Sequence, residues 1–315
     1  MEGYFGLRDL YGLLKAIGRL IEGSLPDGLT PKLLLRCISR NFGGAGVPSL
    51  SLQRIWDDFF KDSAITYLKG RATGSRRGHG ASLLPTQLEL IRANLHEPRV
   101  KPDDARHLLL LVPSGAELSI LQTLQNDGCI DRDKSTIVLS SDFNEDKGEV
   151  HIGHRIDAIK QAMKSGDLLV LVHQKSIYES LYDMLNQHYS GWSREQQFCR
   201  ISLGVHHQIC PVHPDFRCVV IADQMSAGVP KPRDPLPAPF LNRFEKARIN
   251  LKGVLHAFLQ PLADSLKRWA VTLLAKSQGL PEGQVSDLAV RKHFSGLDDF
   301  SSIVGAVYKE LESPA

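Results

Sequence analysis

The residue best suited to chemistry in this chain is Arg243, within the stretch Pro235 to Lys246, PLPAPFLNRFEK. An arginine on a short turn after a proline-rich approach can reach out of its own domain. There it can neutralise charge on a phosphoryl group held by a neighbour, the arginine-finger role. The plainer alternative is a surface arginine at a helix start. The choice between them depends on whether the segments upstream carry the other parts of a phosphoryl-transfer site.

Two of those parts are altered. A phosphate-binding loop reads G-x-x-x-x-G-K-[ST], with backbone amides cradling phosphates and a lysine neutralising them. The first apolar run, Leu108 to Val112, leads instead into Pro113-Ser114-Gly115-Ala116-Glu117. That turn has one glycine, no lysine, and a carboxylate where phosphate needs a cation, and Pro113 lacks an amide hydrogen. Ser114 and Gly115 therefore hold degenerate loop positions. A later strand should end in carboxylates that hold Mg²⁺ and polarise water. Leu168 to Val172 ends in His173-Gln174, and neither suits a hard cation that prefers carboxylate oxygen. Glu179 and Asp183, expected one turn apart on a helix over 176–187, could supply acids, but an exposed helix face accounts for them. The expectation is a pocket that binds no ATP tightly.

Other groups that look chemical are set aside. His206, His207, Cys210, His213 and Cys218 have the residue types of a zinc site. The segment ISLGVHHQICPVHP alternates as a strand does, which sends Cys210 and His213 to opposite faces. A structural hairpin is expected, with no metal bound. Pro230, Pro232, Pro235, Pro237 and Pro239 could form a polyproline ligand, and a stiff connector is the preferred reading. No G-x-S-x-G elbow is present to anchor hydrolase chemistry.

The elements that must position Arg243 follow from periodicity. Leu108–Val112, Thr136–Leu139, Leu168–Val172 and Cys218–Ile221 are short runs apolar on both faces, as in a parallel sheet covered by helices. Helical stretches at Glu117–Gln125 and Arg155–Lys164 separate them, which gives a doubly wound α/β class with a mostly parallel sheet. The N-terminal fifth reads differently. Phe5, Leu10, Leu13, Leu14, Ile17, Leu20 and Ile21 recur at helical spacing. Thr30-Pro31 opens a second helix, and Ser51 caps a third that carries Ile55, Trp56, Phe59 and Phe60. An all-α bundle over 1–69 thus precedes a flexible linker over 70–84, GRATGSRRGHGAS at its centre. The α/β module spans 85–250, beginning with a helix from Pro85 to Leu95, and a helical segment fills 251–315.

The chain has 315 residues, 42% hydrophobic and 23% charged, which suits about two globular domains. A net charge of +3 is too small for a nucleic-acid footprint, which needs clustered charge. Five scattered cysteines and no secretory leader argue for reduced thiols and a cytoplasmic setting. No apolar run approaches the roughly 20 residues of a membrane span.

Three segments carry a resemblance. SGDLLVLVHQKSIYESLYDMLNQHY, LGVHHQICPVHPDFRCVVIADQ and PLPAPFLNRFEKARINL, in that order, closely resemble the mysterin family. These are giant AAA+ ATPases that are also ubiquitin ligases. The likeness runs from Tyr4 to about Leu251 and is fainter beyond. It implies an AAA+ sheet module preceded by the all-α lid of an earlier AAA+ module, the whole being an interior piece of a longer polypeptide. It also implies roles. Arg243 would be an arginine finger acting in trans. Arg8, in YFGLRDLYGLLKAI, would be a sensor-2-like residue for the preceding module. Asp223 or Gln224, ending the strand FRCVVIADQ, would hold the sensor-1-like position. ATP and Mg²⁺ would bind in neighbouring modules, and zinc only in ligase elements outside this chain. Partners would be adjacent AAA+ modules and, through the longer protein, the ubiquitin machinery. Two other readings stay open, a purely structural scaffold module and a nucleic-acid-remodelling AAA+ subunit.

Overall fold

Runs apolar on both faces need cover on both faces, and the structure supplies it. The computed structural model describes residues 7–22, 31–42, 85–97, 105–113, 115–140, 148–191, 193, 196–203, 206–223, 236–249, 260–279 and 281–285. The third helix, the linker and the stretch 298–311 lie outside the described residues, as do Ser114 and Gln224. The chain divides into two compact units, one of residues 1–111 with 132–248 and one of 112–131 with 249–315.

The first unit is built on a five-stranded sheet. Its strands are β1 (His107–Val112), β2 (Ser135–Leu139), β3 (Leu168–Val172), β7 (Arg217–Asp223) and β8 (Phe244–Arg248), in the order β2-β3-β7-β1-β8. The pairs β2–β3, β3–β7 and β1–β8 are parallel. Every residue of β1 is buried, and β3 and β7 are nearly as enclosed. Edge strand β2 leaves Ile137 and Leu139 exposed. A second sheet holds β4 (Ser190–Gly191), β5 (Gln197–Leu203) and β6 (His206–Val212), all antiparallel. The hairpin expected from ISLGVHHQICPVHP is thus β5–β6. Cys199 faces Cys210 across it, and both join the core. His213 follows the end of β6 and its Nδ1 accepts from the Asp215 amide at 3.1 Å.

Helices close this unit. α1 is Leu7–Glu22, α2 Pro31–Phe42 and α3 Gln87–His96. α3 starts on a capping box in which the Glu89 amide donates to Thr86 and the Thr86 amide to Glu89. α5 (Glu149–Ser165) stops at Gly166, whose φ of 84° gives the left-handed turn that ends many helices. In the second unit, α4 (Glu117–Asn126) buries Ile120, Leu121 and Leu124, and α8 (Gln260–Gln278) buries Ala270, Leu274 and Ala275.

One expectation and one alternative reading are corrected, and another expectation is met only in part. The helix expected over 176–187 is a 3-10 turn, Lys175–Ile177, followed by a single helical turn, α6 (Tyr182–Leu185). The Ser180 carbonyl accepts from the Ser202 amide at 3.1 Å, so the helical ladder loses that acceptor to β5. Arg243 stands at no helix start. It follows the short α7 (Ala238–Leu241) and directly precedes β8, a strand the charged sequence FEKAR concealed. In α1, Leu10 and Leu14 of the apolar stripe are exposed, Leu13 and Ile17 are half-buried, and Asp9 and Ala16 are buried, so the packed face coincides only in part with the apolar one.

Candidate functional site

Two ends of the parallel sheet bear on the expected chemistry. At the C-terminal end of β3, His173 adopts a φ of 57° and points its exposed side chain away from the core. Gln174 is fully buried. Its Nε2 donates to the carbonyls of Val138 at 3.2 Å and Val172 at 3.0 Å, and its Oε1 accepts from Arg155 Nη1 at 3.2 Å. That amide ties the end of β2 to the end of β3, with its hydrogen-bonding groups committed. Asp223 is the last residue of β7, at the same end of the sheet. After β1, a turn of its own contains Gly115 at φ 82° and closes with the Ala116 amide donating to the Pro113 carbonyl at 3.0 Å. Glu117 behind it is buried.

The N-terminal ends of β1 and β8 are built from different chemistry. Because the two strands run parallel with His107 opposite Phe244, the residues before them, Arg106 and Arg243, stand side by side. Arg243 is 9% exposed, with its guanidinium carbon 3.9 Å from the centre of the Tyr182 ring. Burial lowers its pKa from the ordinary value and Arg8 lowers it further, with Tyr182 opposing. Arg8 donates to Asn186 Oδ1 at 2.6 Å. Arg8 and Arg243 line one cavity of about 180 Å³ with Tyr11, Gly12, Lys15, Arg106, Asn186, Gln187 and Glu245. The two arginines assigned separate roles from sequence are thus brought together.

Buried ion pairs hold this end rigid. Asp9, fully buried, accepts from Arg106 Nη1 at 2.8 Å and from Lys246 Nζ at 3.0 Å on one oxygen. Arg40 of α2 donates bidentately to Glu245, Nε to Oε2 and Nη2 to Oε1, both 3.0 Å. Burial pushes the Glu245 carboxyl up, but Arg40 overrides it and holds the carboxyl below its ordinary value. Burial pulls Lys246 below its ordinary value against the opposing pull of Asp9. These pairs fasten α1 and α2 over β8, covering an edge strand that would otherwise present open backbone groups. The far wall is fixed by His107, whose Nδ1 accepts from the Cys218 amide at 3.2 Å. Its Nε2 therefore carries the proton and donates to the Met184 carbonyl at 3.2 Å. That bond fixes the turn carrying Tyr182, Asn186 and Gln187.

Sequence reasoning missed Arg106 and Lys15 as lining groups, Tyr182 as the ring under Arg243, and Asp9, Arg40, Glu245 and Lys246 as their support. One signal was available. Arg8, Tyr11, Gly12 and Lys15 recur at three- and four-residue steps, which puts them on one helix face. Among the described residues, no group of three or more histidine, cysteine or acidic side chains is arranged to hold a metal ion. No described helix is long and apolar enough to cross a membrane.

A profile of the RNF213 AAA domain matches residues 97–255, which takes in every strand of the five-stranded sheet. The E3 ubiquitin-protein ligase rnf213-beta of Danio rerio is 32% identical over 272 residues, 85% of this chain and 5% of that protein. The E3 ubiquitin-protein ligase RNF213 of Mus musculus is 28% identical over 276 residues, again 85% of this chain and 5% of that protein. The Homo sapiens RNF213 is 28% identical over 273 residues, 84% of this chain and 5% of that protein. The chain thus spans about 5% of the length of these curated relatives. With a mostly parallel five-stranded α/β sheet and a domain profile covering half its length, the chain belongs to the RNF213, or mysterin, AAA-domain family.

Proposed function

We propose that this chain serves as an AAA+ lid, residues 1–69, joined to a catalytically degenerate AAA+ module, residues 85–250. In this reading it supports ATP binding and hydrolysis in neighbouring modules of a longer cytoplasmic E3 ubiquitin ligase and carries no ligase chemistry itself. The observation behind this is the convergence of Arg8 and Arg243 on one cationic cavity at the N-terminal ends of β1 and β8. Arg243 acts as the finger towards a neighbour's nucleotide, and Arg8 as the sensor-2-like residue beside it. The groups expected to hold Mg²⁺ and ATP in this module do not fit them. The Gln174 amide is committed to two backbone carbonyls, the Ala116 amide is spent on Pro113, and no lysine lies in residues 113–117. ATP and Mg²⁺ therefore belong to adjacent modules, and zinc to ligase elements elsewhere in the polypeptide.

The test is the ATPase rate of a longer polypeptide that includes the neighbouring modules. Arg243→Ala lowers that rate by on the order of 10³ if the arginine is a finger. An unchanged rate removes the role. Degeneracy is tested separately by titrating the 315-residue chain with ATP; sub-micromolar affinity that depends on Mg²⁺ would sink it. A second reading, a structural scaffold module, is favoured by one observation: Arg243 already has an internal partner in the Tyr182 ring.

A further inference from the structure

We infer that the cavity at the N-terminal ends of β1 and β8 is a preformed site for a phosphate chain, of pyrophosphate chemistry, made wholly by this chain and independent of Mg²⁺. The inference rests on the reading of that cavity as phosphate-facing. It adds that recognition needs no neighbouring module, and that Arg106 and Lys15 carry it together with Arg8 and Arg243.

Charge is the first argument. Among the described residues, the lining holds four cationic side chains, Arg8, Lys15, Arg106 and Arg243, and one carboxylate, Glu245. Both oxygens of that carboxylate accept from Arg40. The carboxylate nearest Arg106, Asp9, is shared with Lys246. Among the described residues the lining therefore carries more positive than negative charge, in a partly enclosed space where each charge counts for more than in open water.

Preorganisation is the second. Arg106 is held on three sides: Nη1 donates to Asp9 Oδ1 at 2.8 Å and to the Asn242 carbonyl at 3.2 Å, and Nη2 to Asn41 Oδ1 at 3.1 Å. Its Nε is buried and has no hydrogen-bond partner among the described residues. Gly12 lies over that Nε and shuts it from a ligand oxygen, so Arg106 acts on a ligand through its fixed charge, and a guanidinium held in this way loses little freedom when a ligand binds beside it.

The third argument is space. A Cβ on Gly12 would come within 2.5 Å of Asn41 Oδ1 and 3.4 Å of Arg106 Nε. The missing side chain is what lets α1 lie this close while Arg8 and Lys15, on the same face, reach the opening. At about 180 Å³, the cavity is smaller than the roughly 300–1,000 Å³ of sites that take drug-sized ligands. It suits phosphate groups and leaves a nucleoside outside. The ligand could be a free phosphate chain or the terminal phosphates of a neighbour's nucleotide, and the chemistry read is the same.

The experiment is calorimetric titration of the chain with pyrophosphate in the absence of Mg²⁺. One saturable site is expected. Arg8→Gln and Lys15→Gln each weaken it by about tenfold, what one charge-assisted hydrogen bond carries. Gly12→Ala keeps every charge but narrows the cavity, and it weakens binding too. Arg200→Gln, a cation paired with Asp183 elsewhere, leaves affinity unchanged. Circular dichroism checks that each variant is folded. The inference is overturned if no saturable binding occurs up to millimolar pyrophosphate, if Arg200→Gln weakens binding as much as Arg8→Gln, or if Gly12→Ala changes nothing. ATP should bind about as well as pyrophosphate, and affinity more than tenfold higher would assign the site to a whole nucleotide instead. The two readings fail separately. An ATPase loss on Arg243→Ala without pyrophosphate binding leaves the finger and removes the autonomous site, and the opposite pattern does the reverse.

Discussion

The two ends of the parallel sheet have exchanged the properties usually associated with them. In open α/β sheets the ligand crevice lies outside the carboxyl ends of the strands. Here that end of β3 is sealed by an amide, Gln174, committed to its own backbone and to Arg155. The amino ends of β1 and β8 instead gather cations around a cavity. Both ends contain buried polar groups, but they are satisfied differently. At the carboxyl end a neutral amide meets neutral carbonyls and closes the account of donors and acceptors. At the amino end full charges meet full charges, with cations in excess among the described residues, so burial leaves a net field. A surface of the first kind can hold strands together, whereas one of the second kind can also attract a ligand.

The largest test of this difference is to remove one member of the charged set. Glu245→Ala leaves Arg40 buried at 6% side-chain exposure with Glu97 as its remaining ion-pair partner among the described residues. Breaking a buried pair from one side costs about 3–5 kcal/mol, measurable as a lower midpoint in urea unfolding. The same pair sets an acid limit. The Glu245 carboxyl titrates below its ordinary value when folded, so in the window between the folded and unfolded pKa the unfolded chain binds more protons. Stability from this pair is present above the unfolded carboxylate value and is lost as pH falls through the folded one. Urea midpoints measured from neutral pH downwards should fall in that acid range in the native chain, and less in Glu245→Gln.

Much of the sheet was legible in the sequence, and the site was only partly so. Leu108–Val112 and Leu168–Val172 read as buried strands because both faces are covered by apolar packing, which leaves a continuous apolar run. β8 was not legible, because FEKAR is buried through ion pairs rather than through apolar contact: Glu245 belongs with Arg40 and Lys246 with Asp9, partners some two hundred residues away in sequence. Pattern reading weighs neighbours along the chain and has no access to such partners. The same cause hid part of the packed face of α1. Leu10 and Leu14 carry the apolar spacing, but Asp9 is the side chain that fixes the helix to the sheet. Arg243 was singled out by its motif, but its stacking on Tyr182 depended on a helix being broken at Ser180, a tertiary event driven by β5.

An intermediate effect is expected at the carboxyl end. Gln174→Ala removes the donor that serves the Val138 and Val172 carbonyls and the acceptor that serves Arg155. Leaving buried groups unsatisfied costs about 1–3 kcal/mol. The loss should appear in urea unfolding and as faster amide exchange at the ends of β2 and β3. Pyrophosphate affinity should stay at the native value, since the amide stands at the other end of the strands. A parallel loss of affinity would mean that the two ends act as one site.

The smallest effect is expected where the cationic end touches an aromatic ring. Tyr182 is 48% exposed, and its ring lies 3.9 Å from the Arg243 guanidinium carbon. A cation–π contact ranges from about 0.5–1 kcal/mol when exposed to about 2 kcal/mol when desolvated. One half-exposed partner places this contact near 1 kcal/mol. Tyr182→Ala should therefore lower unfolding stability by about 1 kcal/mol, while Tyr182→Phe, which keeps the ring face, should lower it by less. A contact that weak holds Arg243 in place at rest and yields to a phosphate oxygen, because a charge-assisted hydrogen bond of about 1.5–3 kcal/mol outweighs it. If Tyr182→Ala instead cost as much as Glu245→Ala, the arginine would be as firmly built in as its neighbours, and the amino end would be a structural joint alone.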